Sequence, residues 1–317
     1  MRIAIIVPAF NVAPFLRDTL LSVLQQTHRD WTVVVVDDGS TDATAAVAAS
    51  FADDRIRLIR QDNAGVSAAR NRGIRSAASL MPDAFLFLDG DDWLAPNALA
   101  LLANTLDAAP WAVAACGRYA RVGPDGACRP SVAPPDGCLL ERLLIQNLFA
   151  NGGHLLIRRE AIESVGEFRT DLCYGEDWEY WTRLASQGEF AAARSPAPIL
   201  FVRERPGGAT LSNATDPTAY QPAMEAIHRN PAIAERLGRS RLAHLRHRAE
   251  AEMAWTVGRE MVRHGRQRDG LIWLARSVRS APSPRRLALI GLSWFRLGPF
   301  RPYQSGAQQR FLPVAPL

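Results

Sequence analysis

WTVVVVDDGS at residues 31–40 and AFLFLDGDD at residues 84–92 are two apolar runs that each end abruptly in acidic residues. Neither run alternates between apolar and polar residues, which is typical of a strand buried on both faces of a parallel sheet. In such sheets, ligands bind beyond the carboxyl ends of the strands. Both acidic turns are therefore predicted to lie at the ligand-binding edge of one sheet.

Further apolar runs flank these two, and segments with helical periodicity separate most of them. The predicted strands are Ile3–Val7, Trp31–Val36, Ile56–Ile59, Ala84–Leu88, Trp111–Ala115, His154–Ile157, Phe190–Ala193 and Pro198–Arg203. The predicted helices include Pro14–Gln26, Val66–Ala78, Leu139–Phe149, Arg159–Val165 and Tyr174–Ala185. Residues 117–137 are rich in Gly and Pro and are predicted to form a surface loop. The alternation predicts an α/β fold, with a mostly parallel sheet flanked by helices.

Charge divides the chain into two parts. Residues 1–215 carry 20 arginines and 25 acidic residues, whereas residues 216–317 carry 17 arginines and 7 acidic residues, a net charge of +10. We predict an α/β domain over residues 1–215 and a basic, mainly helical C-terminal region over residues 216–317. A region this basic commonly meets anions such as lipid headgroups or nucleic acid.

The cysteines and the apolar segments bear on location. None of the four cysteines belongs to a CxxC pair or has a histidine at zinc-ligand spacing, which favours reduced thiols in a reducing compartment. No stretch reaches the roughly 20 apolar residues that a bilayer-spanning helix requires. The N-terminus lacks the pattern of a signal peptide. We predict a cytoplasmic protein, and peripheral attachment to the inner face of the cell membrane stays open.

The strongest chemical signal is the cluster of Asp89, Asp91 and Asp92 within four residues. Carboxylates this close raise each other's pKa unless a positive charge sits among them. Mg²⁺ or Mn²⁺ would supply that charge, because hard cations prefer oxygen ligands. The alternative is a polar turn that caps the helix predicted to begin at Pro96.

Two other acidic segments stand at strand or helix ends. The turn of residues 37–42 contains Gly39, and a carboxylate there would accept hydrogen bonds from a base or a ribose; a plain β-turn with a helix cap explains the same residues. Glu176 and Asp177 open a predicted helix. A carboxylate there would act as a general base, although acidic first turns are common in helices.

Taken in order, four segments resemble the motifs of the family 2 inverting glycosyltransferases. They are Asp37–Asp42 (DDGSTD), Asn63–Asn71 (NAGVSAARN), Leu88–Asp92 (LDGDD) and Gly175–Trp178 (GEDW). The resemblance covers residues 1 to about 212. It implies a GT-A fold, a nucleotide-diphospho-sugar donor, most often a UDP-sugar, and a divalent metal, Mn²⁺ or Mg²⁺.

The resemblance also assigns roles to individual residues. Those that would bind the nucleotide are Asp38 at the base, Pro8, Ala9 and Phe10 lining the pocket, and Arg70 and Asn71 bordering it. Those that would hold the metal and ribose are Asp89 and Asp91, with Asp92 sharing the metal. Asp177 matches the catalytic base, with Glu176 beside it.

One segment departs from the family pattern. Many relatives have Tyr-Arg-x-His-Pro-Gly-Ser after the last strand, whereas this chain reads VRERPGG at residues 202–208, with Arg205 in the place of the histidine. An arginine cannot ligate a metal but can pair with phosphate. We predict that Arg203 or Arg205 contacts the donor diphosphate; two solvated arginines are the alternative.

The basic C-terminal region has two interpretations. It is either an accessory helical domain or a membrane-interface region, in which arginines flank the apolar segment of residues 284–296 and would bring the enzyme to a lipid-linked acceptor. A glycan is the other acceptor class.

Three alternative functions have weaker support in the sequence. A nucleotidyltransferase would usually carry a Gly-rich basic loop where residues 8–11 read PAFN. A nucleic-acid-binding protein would show a helix-turn-helix, zinc finger or RNP motif, and none is present, so no nucleic-acid partner is expected. An inactive nucleotide-sugar-binding module is disfavoured by the intact acidic positions.

Overall fold

The structure, a computed structural model, describes residues 1–205, 213–284, 286–288 and 290. These form two compact units, one of residues 1–140 and 148–204, the other of residues 141–147 with the described part of 205–317. The second unit therefore takes in residues 141–147 and begins again at residue 205. The predicted domain boundary after residue 215 stays a prediction.

The two units contain eleven named strands and eleven α-helices within the described residues. The strands are β1 (Ile3–Ala9), β2 (Trp31–Asp38), β3 (Ile56–Gln61), β4 (Ala84–Phe87), β5 (Trp93–Leu94), β6 (Ala112–Cys116), β7 (Tyr119–Val122), β8 (Cys128–Pro130), β9 (Leu155–Arg158), β10 (Glu189–Ala192) and β11 (Leu200–Arg203). The helices are α1 (Ala13–Leu24), α2 (Thr44–Ala49), α3 (Val66–Ala77), α4 (Ala98–Ala108), α5 (Leu140–Leu143), α6 (Arg159–Val165), α7 (Glu176–Gln187), α8 (Gln221–His228), α9 (Pro231–Leu237), α10 (Arg239–Arg263) and α11 (Gln267–Ser280).

The main sheet has seven strands in the order β10-β6-β9-β4-β1-β2-β3. β1 pairs in parallel with β2 and β4, and β2 pairs in parallel with β3. β9 lies antiparallel between β4 and β6. Every residue of β1 and β4 is buried, as their unbroken apolar sequences require. The predicted α/β fold with a mostly parallel sheet is confirmed.

A smaller sheet has the order β5-β11-β7-β8. β7 and β8 fall within residues 117–137, so the prediction of a plain loop is wrong there. A turn closed by the hydrogen bond from Gly126 N–H to the Gly123 carbonyl lets the chain double back, and β7 then pairs with the distant β11. Composition reveals the turn but not the remote partner. The helix predicted over Leu139–Phe149 is also shorter than expected, because only Leu140–Leu143 is α-helical.

The second unit is helical, with α8 to α11 following one another. Buried residues of α10 and α11 face each other, and the Ser277 hydroxyl donates to the Ala251 carbonyl at 2.7 Å. None of the helices in the described ranges has the length and apolar character needed to cross a bilayer. Most of the predicted interface segment, residues 284–296, lies outside the described residues.

Candidate active site

The acidic turns predicted to share one sheet edge do so. In the parallel register, Ala9 at the end of β1 stands beside Asp37, and Ile6 stands beside Phe87. β4, β1 and β2 are neighbours in the sheet, so the turns that follow them emerge side by side at the carboxyl edge. This edge is where doubly wound sheets bind ligands.

The turn after β4 packs closely against the end of β1. A Cβ atom on Gly90 would lie 3.1 Å from a methyl group of Val12 and 3.2 Å from the Pro8 carbonyl oxygen. The hydroxyl of Thr19, buried in α1, donates to the Gly90 carbonyl at 3.1 Å. Glycine at this position therefore sets where the flanking carboxylates of Asp89 and Asp91 stand.

Asp89 is held by a cation and by an amide. Arg70 Nη2 donates to Asp89 Oδ1 at 3.1 Å, and Asn151 Nδ2 donates to Asp89 Oδ2 at 3.1 Å. The Asp89 side chain is still 29% exposed. It is thus fixed in position and partly open to a ligand.

Asp92 is the buried member of the acidic cluster. Its Oδ1 accepts the Arg203 backbone N–H at 2.9 Å, and its Oδ2 accepts Asn151 Nδ2 at 2.6 Å. Burial, followed by the charges of Asp91 and Asp89, raises its pKa well above the usual aspartate range. Through these contacts, Asp92 connects the acidic turn to β11 and to the loop before β9.

Asn151 is a site residue that no sequence motif indicates. Its amide reaches Asp89 and Asp92 together, while its Oδ1 accepts the Gly153 N–H at 2.8 Å. Neighbouring His154 is buried, and burial lowers its pKa to about 4. Its neutral ring accepts the Ala150 N–H and bonds the Gly117 carbonyl, which holds the loop in place. A lone Asn-Gly-Gly stretch gives no signal of partners some 60 residues away.

Replacing Asn151 with alanine should lower the free energy of unfolding by about 1–3 kcal/mol, because buried Asp92 loses a hydrogen-bond donor. Chemical denaturation measures the change. Asn97→Ala is the matched control, since Asn97 is exposed and its side chain makes no helix-capping hydrogen bond. Equal stability of the two variants would show that the Asn151 contacts do not hold the turn.

Arg70 joins the acidic turn to the start of α7. Its side chain is 5% exposed and pairs with Asp89 at 3.1 Å and with Glu176 at 2.9 Å. Burial alone would lower the pKa of Arg70, but the charges of Asp89, Glu176 and Asp177 raise it above the usual value. The cation therefore stays charged and joins Asp89 to Glu176, two acidic residues far apart in the sequence.

Asp177 lies in the first turn of α7. Gly175, with φ of 76°, starts the helix, and buried Tyr180 and Trp181 anchor it against Phe87 and Phe168. Burial, then the charge of Glu176, raises the pKa of Asp177 to about 7, against the lowering effect of Arg70. A carboxylate with this pKa is suited to take a proton near neutral pH.

Asp38, the last residue of β2, has a structural role. Its buried carboxylate accepts hydrogen bonds from Gln61 Nε2 at 2.7 Å, Ala64 N–H at 2.9 Å and Gly65 N–H at 2.8 Å. These bonds tie β2 to the loop that leads into α3. The contact with a nucleobase predicted for Asp38 stays a prediction.

Pro8 and Ala9 are buried in the last part of β1, and Phe10 beyond them is 46% exposed. Asn11 fixes this corner, because its side-chain oxygen accepts the Thr41 N–H at 2.9 Å. Nearby, a cleft of about 560 Å³ opens at the ends of β2 and β3. Its lining residues are Gly39, Ser40, Arg60, Gln61 and Asp62.

Three other predicted binding residues have defined positions. Asn71 is buried and exchanges two hydrogen bonds of 2.8 Å with the backbone of Phe168. Arg203 donates from Nε to the Asp91 carbonyl at 3.0 Å and pairs with Asp18 at 3.2 Å. Arg205 is half-buried and belongs to the second unit. Their contacts with a nucleotide or a diphosphate stay predictions.

The donor set fits a cation that shares its shell with substrate. Within the described ranges, no three or more histidine, cysteine, aspartate or glutamate side chains form a ready-made metal centre. Mg²⁺, however, is usually held by one or two carboxylates together with substrate phosphates. Asp89 and Asp91 are partly exposed and offer hard oxygens, whereas Asp92 is buried and bonded to Asn151 and Arg203. Metal ligation by Asp89, Asp91 and Asp92 stays a prediction.

Residues 4–166 match the family model described as Glycosyl transferase family 2, and the chain belongs to this family. Among its relatives, Glycosyltransferase GlyA of Streptococcus pneumoniae is 43% identical over 95 residues, which are 29% of this chain and 13% of GlyA. The uncharacterized glycosyltransferase EpsJ of Bacillus subtilis is 36% identical over 119 residues, 37% of this chain and 34% of EpsJ. The similarity thus covers only a minor part of either relative.

Solved structures share the GT-A fold. S. aureus TarS 1-349 in complex with UDP-GlcNAc has a TM-score of 0.66 at 18% identity, covering 93% of this chain and 88% of that one. The mannosyltransferase PcManGT from Pyrobaculum calidifontis, in complex with GDP-Man and Mn²⁺, has a TM-score of 0.57 at 22% identity, covering 94% of this chain and 81% of that one. Likeness at this level of identity establishes the fold.

Proposed function

We propose that this chain is an inverting, metal-assisted glycosyltransferase that moves a sugar from a nucleotide-diphospho-sugar to a hydroxyl of a glycan or lipid-linked acceptor. One observation carries the proposal: Arg70 bonds both Asp89 of the acidic turn and Glu176 beside Asp177. One side chain therefore links the acidic turn suited to hold a cation with the start of the helix that contains the residue suited to take a proton.

Donor binding is supported by the sheet edge and by the solved structures. Exposed Phe10 offers an aromatic face next to the ends of β1 and β2, and stacking on such a ring suits a nucleobase. TarS was solved with UDP-GlcNAc and with UDP, and PcManGT with GDP-Man and Mn²⁺. A UDP-sugar is the donor we propose, since the TM-score to TarS, 0.66, is higher than the 0.57 to PcManGT.

Asp89 and Asp91 are the residues that would hold Mn²⁺ or Mg²⁺. When bound, such a cation stabilises the negative charge that grows on the diphosphate as its bond to the anomeric carbon breaks. Arg70 and Asn151 keep Asp89 in one orientation throughout. Arg203 holds the backbone of the same turn through the Asp91 carbonyl.

The proposed base is Asp177. Its carboxylate takes the proton from the acceptor hydroxyl as the oxygen attacks the anomeric carbon from the face opposite the diphosphate. One displacement of this kind inverts the anomeric configuration and needs no covalent intermediate. Burial makes Asp177 more basic, the charge of Glu176 adds to this effect, and Arg70 limits it.

The rate of transfer should fall as the pH drops through about 7, because protonated Asp177 cannot accept a proton. Below the pKa the fraction of active base falls about tenfold per pH unit. Burial has the largest effect on this pKa; the charges of Glu176 and Asp89 also raise it, and that of Arg70 lowers it. A rate profile with saturating donor checks the prediction, and a limb near the ordinary aspartate value of 3.8 would contradict it.

The direct test is a thermal-shift panel of nucleotide sugars with and without Mn²⁺, followed by transfer assays with the best donor. A ligand at 100 times its dissociation constant should stabilise the chain by about 2.7 kcal/mol. NMR of the product then reads the anomeric configuration. Retention of configuration would overturn the inverting mechanism, and metal-independent binding and transfer would overturn the role of the cation.

A further inference from the structure

Helix α11 (Gln267–Ser280) has one face directed at solvent and one face buried in the second unit. Gly270, Leu274 and Ser277 are buried. Arg268, Ile272, Arg276 and Arg279, spaced by four, four and three residues, are all exposed and lie on the opposite side. We call these four residues the α11 outer face. At 1.5 Å per residue they span about 16 Å along the helix axis.

The arginines of this face differ from several others in the second unit. Some arginines there are neutralised, such as Arg241 by Glu141, Arg246 by Glu225 and Arg266 by Asp269. Arg268, Arg276 and Arg279 make no ion pair with any residue that the structure describes. Their positive charge is therefore available to an external anion.

The centre of the face is apolar. Ile272 is 68% exposed, although a large aliphatic side chain normally lies inside. Half-buried Trp273 borders the face, and the Arg276 guanidinium lies 5.1 Å from the centroid of its ring. Arginines surrounding an exposed aliphatic residue and a tryptophan are the composition of a helix that lies in a membrane interface.

We propose that the α11 outer face docks on the surface of an anionic lipid bilayer. Arg268, Arg276 and Arg279 pair with lipid phosphates while Ile272 enters the boundary between headgroups and acyl chains. A nucleic-acid backbone would satisfy the arginines but would leave Ile272 without an apolar environment, so the lipid surface fits the whole face. The inference does not depend on the proposed donor, metal or base, and it uses none of the interface segment predicted at residues 284–296.

The test is flotation of the full chain with vesicles of phosphatidylcholine alone or mixed with phosphatidylglycerol. We expect binding to the mixed vesicles only, and weaker binding at high salt, since the screening length falls from about 10 Å at 0.1 M to about 3 Å at 1 M. The triple variant R268Q/R276Q/R279Q should bind on the order of 100-fold more weakly. Each basic residue near an anionic surface strengthens binding several-fold, and the three effects multiply. Ile272→Ser should weaken binding several-fold.

The matched control is R57Q/R72Q/R194Q, which removes the same charge from three exposed arginines of the first unit. It should float like the wild type, and both triple variants should keep the wild-type melting temperature and donor-induced thermal shift. Equal loss in the two triple variants would overturn the proposal, because overall charge would then explain binding. So would equal binding to neutral vesicles, or binding of a DNA duplex through this face without binding to vesicles.

Discussion

Asp177→Asn should lower the rate of sugar transfer by about 10²–10⁴-fold, the range that a positioned general base contributes. The amide keeps the shape of the side chain but cannot accept the acceptor's proton. Donor affinity should stay close to that of the wild type, because the ends of β1, β2 and β4 are untouched. Initial rates with saturating acceptor and thermal shifts with the donor measure the two quantities separately.

The stability of the same variant adds an independent check. A carboxyl group whose pKa is raised in the folded state destabilises the fold as pH rises above its unfolded pKa. Asp177 is such a group, with a pKa raised to about 7 by burial and by Glu176. Removing its charge should therefore leave the melting temperature at pH 8 unchanged or higher. A loss of activity together with unfolding would point to a structural role instead.

Asp171→Asn is the control for this experiment. Asp171 lies close to α7 in sequence, is exposed, and pairs at the surface with Arg169. Its replacement should change neither transfer nor donor binding by more than about twofold, as expected for a surface ion pair. Transfer by Asp177→Asn at a rate near that of the wild type would show that another group is the base, and Glu176→Gln would then be the next variant to assay.

The sequence was sufficient to predict the sheet edge. Unbroken apolar runs such as Val33–Val36 can only be buried on both faces, and parallel strands must present their carboxyl ends on one side. The direction of β9 was not predictable in this way. A strand buried between β4 and β6 reads as an apolar run whether it is parallel or antiparallel.

The contacts that organise the candidate site were largely hidden in the sequence. The motifs assign Asp38 and Arg70 to nucleotide binding, yet each has a structural partner that no local pattern shows. Arg70 and Glu176 are 106 residues apart, and Asn151 and Asp92 are 59 residues apart. Motifs identify which residue types stand at the edge, whereas only the packed fold determines which of them meet.

Arg70→Met should be the most destabilising substitution at the site, lowering the free energy of unfolding by about 3 kcal/mol, as expected when a buried ion pair loses one partner. Methionine retains much of the apolar stem but lacks the guanidinium, whose Cζ lies 5.3 Å from the centroid of the Phe168 ring. Asp89 and Glu176 would remain close together without a neutralising charge. The control is Arg75→Met. Arg75 lies on α3, as Arg70 does, and forms an exposed ion pair with Glu167, so its replacement should change the free energy of unfolding by no more than about 1 kcal/mol.

The pH profile of Arg70→Met separates an electrostatic role from a purely structural one. Arg70 lowers the pKa of Asp177, so its removal should move the acidic limb of the rate profile from about 7 to higher pH. A loss of folded protein alone would lower the rate by the same factor at every pH.

Arg70→Lys keeps the charge but not the fork that reaches two carboxylates, so the acidic limb of its rate profile should lie between those of the wild type and Arg70→Met. Adding Glu176→Gln to Arg70→Met removes one of the unpaired charges and should bring the limb back towards 7, because Glu176 raises the pKa of Asp177. A limb that stays in place in all three variants would show that Arg70 holds the fold without setting the basicity of Asp177.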